Sequence, residues 1–167
     1  MENEWMLPSS LNLRLAGNDD GEFLLSLFCS ARPELALLPL PPEQLTLMGR
    51  QQYEFQQQGY ANYYPHAEDW IITADSKAVG KIMFDRSTPT VHIIDFIIAP
   101  DWRGRGVGSA ILAALKAYVE ARADVLSLRV DHRNSHAKRL YQRLGFVMKQ
   151  SANDHEFMVW LPIKQLR

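Results

Sequence analysis

The 167-residue chain has a single cysteine, almost no net charge (-1) and no long apolar run. Each scarcity removes a class of function. One cysteine excludes an intramolecular disulfide and fits a reducing, cytoplasmic setting. That residue, Cys29, has Leu25, Leu27 and Phe28 for neighbours, so its expected role is a buried structural thiol rather than a nucleophile. A near-zero net charge gives no global field to gather nucleic acid or an anionic membrane, and only a local basic patch around Arg103 and Arg105 remains. No segment approaches the roughly eighteen apolar residues of a membrane span. The start, Met1-Glu2-Asn3-Glu4-Trp5, is acidic and lacks the apolar centre of a signal peptide. Internal repeats and low-complexity linkers are missing too. The simplest organisation is one domain over residues 1–167, long enough to bury about 70% of its unfolded surface.

What is present alternates between two periods. Leu11 to Leu15 reads as a strand, and Asp19 or Asp20 can cap a helix through Glu22 to Phe28. A Leu/Pro-rich stretch from Pro33 to Pro42 breaks that helix, and Glu43 to Gln58 predicts a second one, its glutamines forming a solvated face. Residues 70–73 and 79–84 predict a hairpin turning at Asp75-Ser76-Lys77, followed by a strand over 91–98. A helix from Ser109, a strand at Leu126 to Val130, a short helix from Ser135 to Leu144 and two late strands complete the order β-α-α-β-β-β-α-β-α-β-β.

The segment Arg103-Gly104-Arg105-Gly106-Val107-Gly108 joins the apolar strand at 92–98 to the helix that starts at Ser109. The first amides of a helix have no internal partner, and the helix dipole adds about half a positive charge there. Glycines let a diphosphate approach that backbone closely. A Walker loop is excluded because Ser109-Ala110 follows the last glycine where Lys-Ser or Lys-Thr is required. The even glycine spacing and the hundred preceding residues also argue against a dinucleotide fingerprint.

Read as Arg103, Gly106 and Gly108, the turn resembles the acetyl-coenzyme A loop of the GNAT acetyltransferases, Arg/Gln-x-x-Gly-x-Gly/Ala. A second block is similar to the same family: a strand over Leu126 to Val130, Asn134 and Ala137 as Asn-x-x-Ala, and Tyr141, Gly145 and Phe146 as Tyr-x-x-x-Gly-Phe. Together the blocks cover roughly residues 91 to 148. The first ninety residues, which usually contact the acceptor, resemble the family only loosely. The resemblance implies an α/β fold, the GNAT acyl-CoA N-acyltransferase fold, with a mixed central β-sheet flanked by helices.

It also implies acetyl-CoA as cosubstrate, no metal, and direct transfer to an amine in a ternary complex. In the donor site, backbone amides of Arg103, Gly104, Arg105, Gly106, Val107, Gly108 and Ser109 would hold the pyrophosphate. Main-chain groups of Phe96, Ile97 and Ile98 would pair with the pantetheine arm, and Asn134 would contact it while also serving as a helix N-cap. Tyr141 matches the family's general acid, although Ala137, Leu140, Tyr141 and Leu144 also make an apolar helix face that a core tyrosine would share. Asp95, the lone acid of its strand, aligns with a position that often faces the acceptor. It is either a base acting through water or a carboxylate bonded to nearby amides. His92 is the other base candidate, expected at the surface, and His132 and His136 lack a third ligand for a metal. The aromatic residues Tyr53, Phe55, Tyr60, Tyr63, Tyr64 and Trp70 are candidate acceptor contacts or core. The expected acceptor is a small-molecule amine or a protein amino group, with a homodimer through the late strands compatible with the pattern. The rival reading is a non-catalytic acyl-CoA-binding sensor or interaction module.

Overall fold

A computed structural model describes residues 4–122 and 124–163. Its elements are β1 (Leu11–Leu15), α1 (Gly21–Ser30), α2 (Pro42–Tyr63), β2 (Glu68–Ala74), β3 (Lys77–Asp85), β4 (Thr90–Ile98), α3 (Val107–Arg122), β5 (Val125–Asp131), α4 (Ser135–Arg143), β6 (Val147–Ser151) and β7 (His155–Trp160). This is the order expected from periodicity, with α2 running five residues further than its apolar pattern indicated. The strands form one sheet in the order β1-β2-β3-β4-β5-β7-β6. Only β4 and β5 run parallel. A mixed sheet flanked by helices is therefore the fold observed.

The β2–β3 hairpin turns on Asp75 and Ser76, at φ 48° and 68°. Two successive left-handed residues match the right-handed twist of the flanking strands, and aspartate tolerates that region better than most side chains. β4 contains one extra residue, Ile94: Ile93 stands opposite Phe84, whereas Asp95 stands opposite Met83. Such bulges bend a strand and re-aim the residues after them.

One face of the sheet packs on α3 and α4. Ile82, Phe84, Leu126 and Leu128 of the sheet bury there with Ile111, Leu112 and Leu115 of α3. Each fully buried aliphatic or aromatic side chain contributes about 1.5–3 kcal/mol of transfer free energy. Trp5 closes this core edge-on to Trp70 and Phe84, at 5.8 and 5.6 Å between ring centroids. Across the sheet, α1 buries Leu24, Leu27 and Phe28. Those residues set the inward stripe, and Cys29 falls one step outside it. The thiol is thus exposed rather than buried as expected, its Sγ 3.1 Å from where a Cβ on Gly49 of α2 would stand. The glutamine face also divides. Gln51, Gln52 and Gln58 are solvated, but Gln57 turns inward and its Nε2 is buried without a partner among the described residues.

At the start of α1, Asp20 receives both terminal nitrogens of Arg14, at 2.8 and 2.9 Å, and the Gly17 amide at 2.7 Å. The Arg14 hydrogen bonds, then the Gly17 amide, hold its carboxyl down to about 2. Because the folded value lies below the unfolded one near 3.9, the stabilisation is complete above about pH 4 and fades as pH falls towards 2. Asp20→Asn is expected to lower stability at pH 7 and to flatten stability between about pH 4 and 2. Urea unfolding at several pH values checks this, and parallel wild-type and variant curves would contradict it.

Candidate active site

β4 and β5 stay in register only from Thr90↔Val125 to Ile93↔Leu128, and beyond that the strands part. The bulge at Ile94 lies where they part. The gap is a slot of about 150 Å³, whose lining includes Asp95 and Phe96 from β4, Val130 from β5, and Asn134, Ala137 and Tyr141 around α4. Main-chain groups in β4 alternate in direction. Ala99 N donates to Val79 O at 2.8 Å, and Ile97 O lies 2.7 Å from the Cβ position of Gly80. Ile97 therefore turns its polar groups to β3, correcting the expectation that it faces the donor. Phe96 and Ile98 turn theirs to the open side, where Arg103 Nε donates to Ile98 O at 2.9 Å.

Beyond β4 the glycine turn reaches α3. Gly104 and Gly106 have φ of 73° and 80°, a region that favours glycine. The Ala110 amide donates to Gly106 O at 3.0 Å and opens the helical ladder, so the amides of Val107, Gly108 and Ser109 precede any internal partner. Gly108 faces the slot, where a Cβ would stand in ordinary contact, 3.7 Å from the Phe96 ring and 3.9 Å from the Ile98 and Leu140 side chains. Arg105 lies over the Trp102 ring at 4.8 Å. The turn, the open strand edge and α4 thus converge on the same gap.

Tyr141 occupies the last turn of α4, and Gly145 at φ 92° ends the helix behind it. Its ring is 8% exposed and meets Phe146 at 5.7 Å. Burial, and secondarily the charge of Asp95, push its phenol up to about 12. Asn134 caps α4, its Oδ1 accepting from Ala137 N at 3.1 Å. Lys138 of α4 pairs with the buried Glu156 of β7, and His132 approaches the same carboxylate at 3.5 Å. These links seat the helix that carries Tyr141. Among the described residues no group of three His, Cys, Asp or Glu side chains is placed to hold a metal ion.

The other face supplies an arrangement the sequence did not reveal. Asp95 Oδ2 lies 3.5 Å from Lys81 Nζ, and the same ammonium lies 3.2 Å from Asp69 Oδ2. Burial raises the Asp69 carboxyl, and Lys81 opposes that rise. Above this trio lie Tyr53 and Tyr60 of α2, both phenols pushed up first by burial and then by acidic neighbours. His92 is half-buried instead of at the surface. Its Nδ1 is 2.9 Å from Ser127 Oγ, with Tyr64 and Phe157 rings beside it. Burial, then the Arg129 charge, lower its pKa and favour the neutral ring at pH 7. It sits where β4 and β5 are still paired, outside the slot lining.

Residues 33–146 match the model of the acetyltransferase (GNAT) family. The chain belongs to this GNAT acetyltransferase family. An uncharacterised N-acetyltransferase of Methanocaldococcus jannaschii is 30% identical over 90 residues, 53% of this chain and 57% of that relative, so the match spans little more than half the relative's length. The PaiA N-acetyltransferase of Thermoplasma acidophilum, solved with coenzyme A, superposes with a TM-score of 0.69 at 15% identity, over 91% of this chain and 99% of that one. The spermidine N-acetyltransferase of Vibrio cholerae, solved with coenzyme A and spermine, gives 0.65 at 18% identity, over 96% and 100%. Within this GNAT fold Asp69 and Lys81 escaped the sequence reading. Their one signal was a charged residue at 81 inside the apolar run Val79 to Phe84.

Proposed function

We propose that this chain is an acetyl-CoA-dependent N-acetyltransferase, with its donor in the β4–β5 slot and a primary amine approaching from the α1/α2 side. The observation that carries the reading is the parting of β4 from β5 beside Tyr141 and the glycine turn. An extended arm bearing amides suits the main-chain groups of Phe96 and the amide of Ile98, which turn to the open side. A diphosphate suits the unpaired amides at the start of α3, with Arg103 and Arg105 alongside. Held there, acetyl-CoA supplies an activated acetyl thioester.

The chain's own residues would then do two things. Tyr141 donates its phenolic hydrogen bond towards the sulfur as charge develops. In water, full proton transfer from a phenol near 10 to a thiolate near 8.5 runs about 1.5 units uphill, roughly 2 kcal/mol, and burial raises the Tyr141 phenol further, so hydrogen-bond stabilisation is its main service. Asp95, at the border between slot and acceptor face, attracts the incoming ammonium. A primary amine near pKa 10.4 is neutral in only about one molecule in 2,500 at pH 7, so its proton must be taken up nearby or through water. Cys29 stands at the α1–α2 crossing, outside the slot lining, and supports direct attack over a covalent acetyl-enzyme. The acidic acceptor face, together with the spermine held by the Vibrio cholerae relative, favours a cationic amine, either a small molecule or a protein amino group. No helix among the described residues is long and apolar enough to cross a membrane, and a reduced Cys29 suits the cytoplasm.

Calorimetric titration with acetyl-CoA, with ATP and NAD as controls, is expected to give micromolar binding for acetyl-CoA alone. An amine panel should then release free thiol. Binding without thiol release from any amine would favour an acyl-CoA sensor, and no binding by folded protein would remove the donor site from the account.

A further inference from the structure

Lys81 is 2% exposed in the middle of β3. An ammonium so placed costs several kcal/mol of desolvation unless opposite charge surrounds it. The register supplies that charge from both sides. Asp69 of β2 and Asp95 of β4 both stand opposite Met83, and Lys81 lies two residues along on the same face. Its Nζ reaches both carboxylates, at 3.2 and 3.5 Å. The acceptor chemistry above uses Asp95 and leaves Asp69 and Lys81 without a role.

We propose that Lys81 is a positioning residue for the acceptor: by bridging Asp69 and Asp95 it leaves the trio with one net negative charge, matched to a single ammonium. The inference rests on the acetyltransferase reading. Without the bridge each carboxylate would oppose the other's ionisation, and the pair would take up its first proton at higher pH. Were both to remain ionised, the doubled charge would hold the acceptor as ammonium and oppose its deprotonation. One bridging cation avoids both outcomes. The acceptor it suits is a primary amine with a single positive charge at the reacting end.

Besides the Arg14–Asp20 pair, the groups around the trio add one cation, Arg32. From α2 come the neutral phenols of Tyr53 and Tyr60, while Arg32, beyond α1, acts on Tyr60 and lies 3.7 Å over the Phe28 ring, with both carboxylates paired to Lys81 instead. Asp20 is neutralised by Arg14, and Tyr141 approaches Asp95 from α4 as a protonated phenol. Asp69 Oδ1 is itself buried and unpartnered among the described residues, and the cation paired with its other oxygen is Lys81.

Three variants test the proposal: Lys81→Met, Lys81→Arg, and the charge-balanced pair Lys81→Met with Asp69→Asn. In unliganded protein, carbon-13 carboxyl titration of Lys81→Met should show one carboxylate titrating at least about 1 pH unit higher than in the wild type. The acid limb of kcat/KM for amine acetylation should rise by a similar amount. Lys81→Arg should stay near the wild type, and the double variant should bring the limb back. A merely structural lysine would give neither the shift nor its reversal by removing a second residue. An unmoved limb and unmoved carboxyl titration in Lys81→Met would overturn the proposal, as would a double variant no better than the single one. Should Lys81→Met fail to fold, the double variant decides alone: a wild-type limb supports the proposal and a displaced limb overturns it. Wild-type protein that releases no thiol would overturn the acetyltransferase reading itself, which separates that failure from this one.

Discussion

Replacing Tyr141 with phenylalanine is expected to lower kcat for acetyl transfer by about 10²–10³-fold, a usual range for loss of a positioned acid or donor. Acetyl-CoA affinity should stay within about twofold, because only the hydroxyl is removed. The ring that meets Phe146 at 5.7 Å remains, as does the backbone carbonyl that accepts from Phe146 N at 3.0 Å. The phenol near 12 also predicts that no fall in activity below about pH 10 belongs to Tyr141 ionisation. Steady-state thiol release beside calorimetry separates the two quantities. Wild-type kcat in the variant would return Tyr141 to a core tyrosine, the reading its apolar helix face also permits.

Phe84→Ala is expected to have the largest effect on stability, about 3–5 kcal/mol. The ring is 0% exposed, parallel to Trp70 at 6.3 Å and edge-on to Trp5 at 5.6 Å. Removing it opens a cavity that two rigid indole neighbours fill poorly, and it unpins the N-terminal Trp5 from the core. For a domain of this size each kcal/mol lowers Tm by roughly 2–4 °C, so a fall of about 10 °C is expected. Thermal unfolding followed by tryptophan fluorescence measures both the midpoint and the freed indoles. A midpoint within about 2 °C of the wild type would show that the aromatic group collapses onto the space. Activity per folded molecule should survive, since Phe84 lies outside the slot lining.

The order of elements was readable because each rests on local signals: alternation in the strands, apolar spacing in the helices, and glycine or proline between them. The glycine turn and the residues around Tyr141 were readable for a related reason, because their chemistry is concentrated in two short continuous blocks. Asp69, Lys81 and Asp95 are spread over three strands, and only sheet register brings them together. A lone lysine in an apolar run reads as a half-exposed strand residue until its two partners are known. Cys29 misled through its neighbours, because helical geometry turns it away from Leu24, Leu27 and Phe28 despite adjacency. His92 misled through its place near the start of a strand, which the Tyr64 and Phe157 rings cover. Main-chain direction along β4 depends on which neighbour each residue bonds, so the different outcomes for Ile97 and its neighbours had no signature in side-chain identity.

The additional residue at Ile94 works like a frameshift in the two-residue period of a strand. In an unbroken period Ile93 and Asp95 would share one address, and the carboxylate would lie among Ile82, Phe84 and the apolar side of α3. With the frame displaced by one, Ile93 stays in the hydrocarbon layer and Asp95 is delivered to Lys81 on the opposite side. A single strand is thus read in two phases, hydrocarbon before position 94 and chemistry after it. For this chain the spacing of residues along β4 carries as much information as their identity.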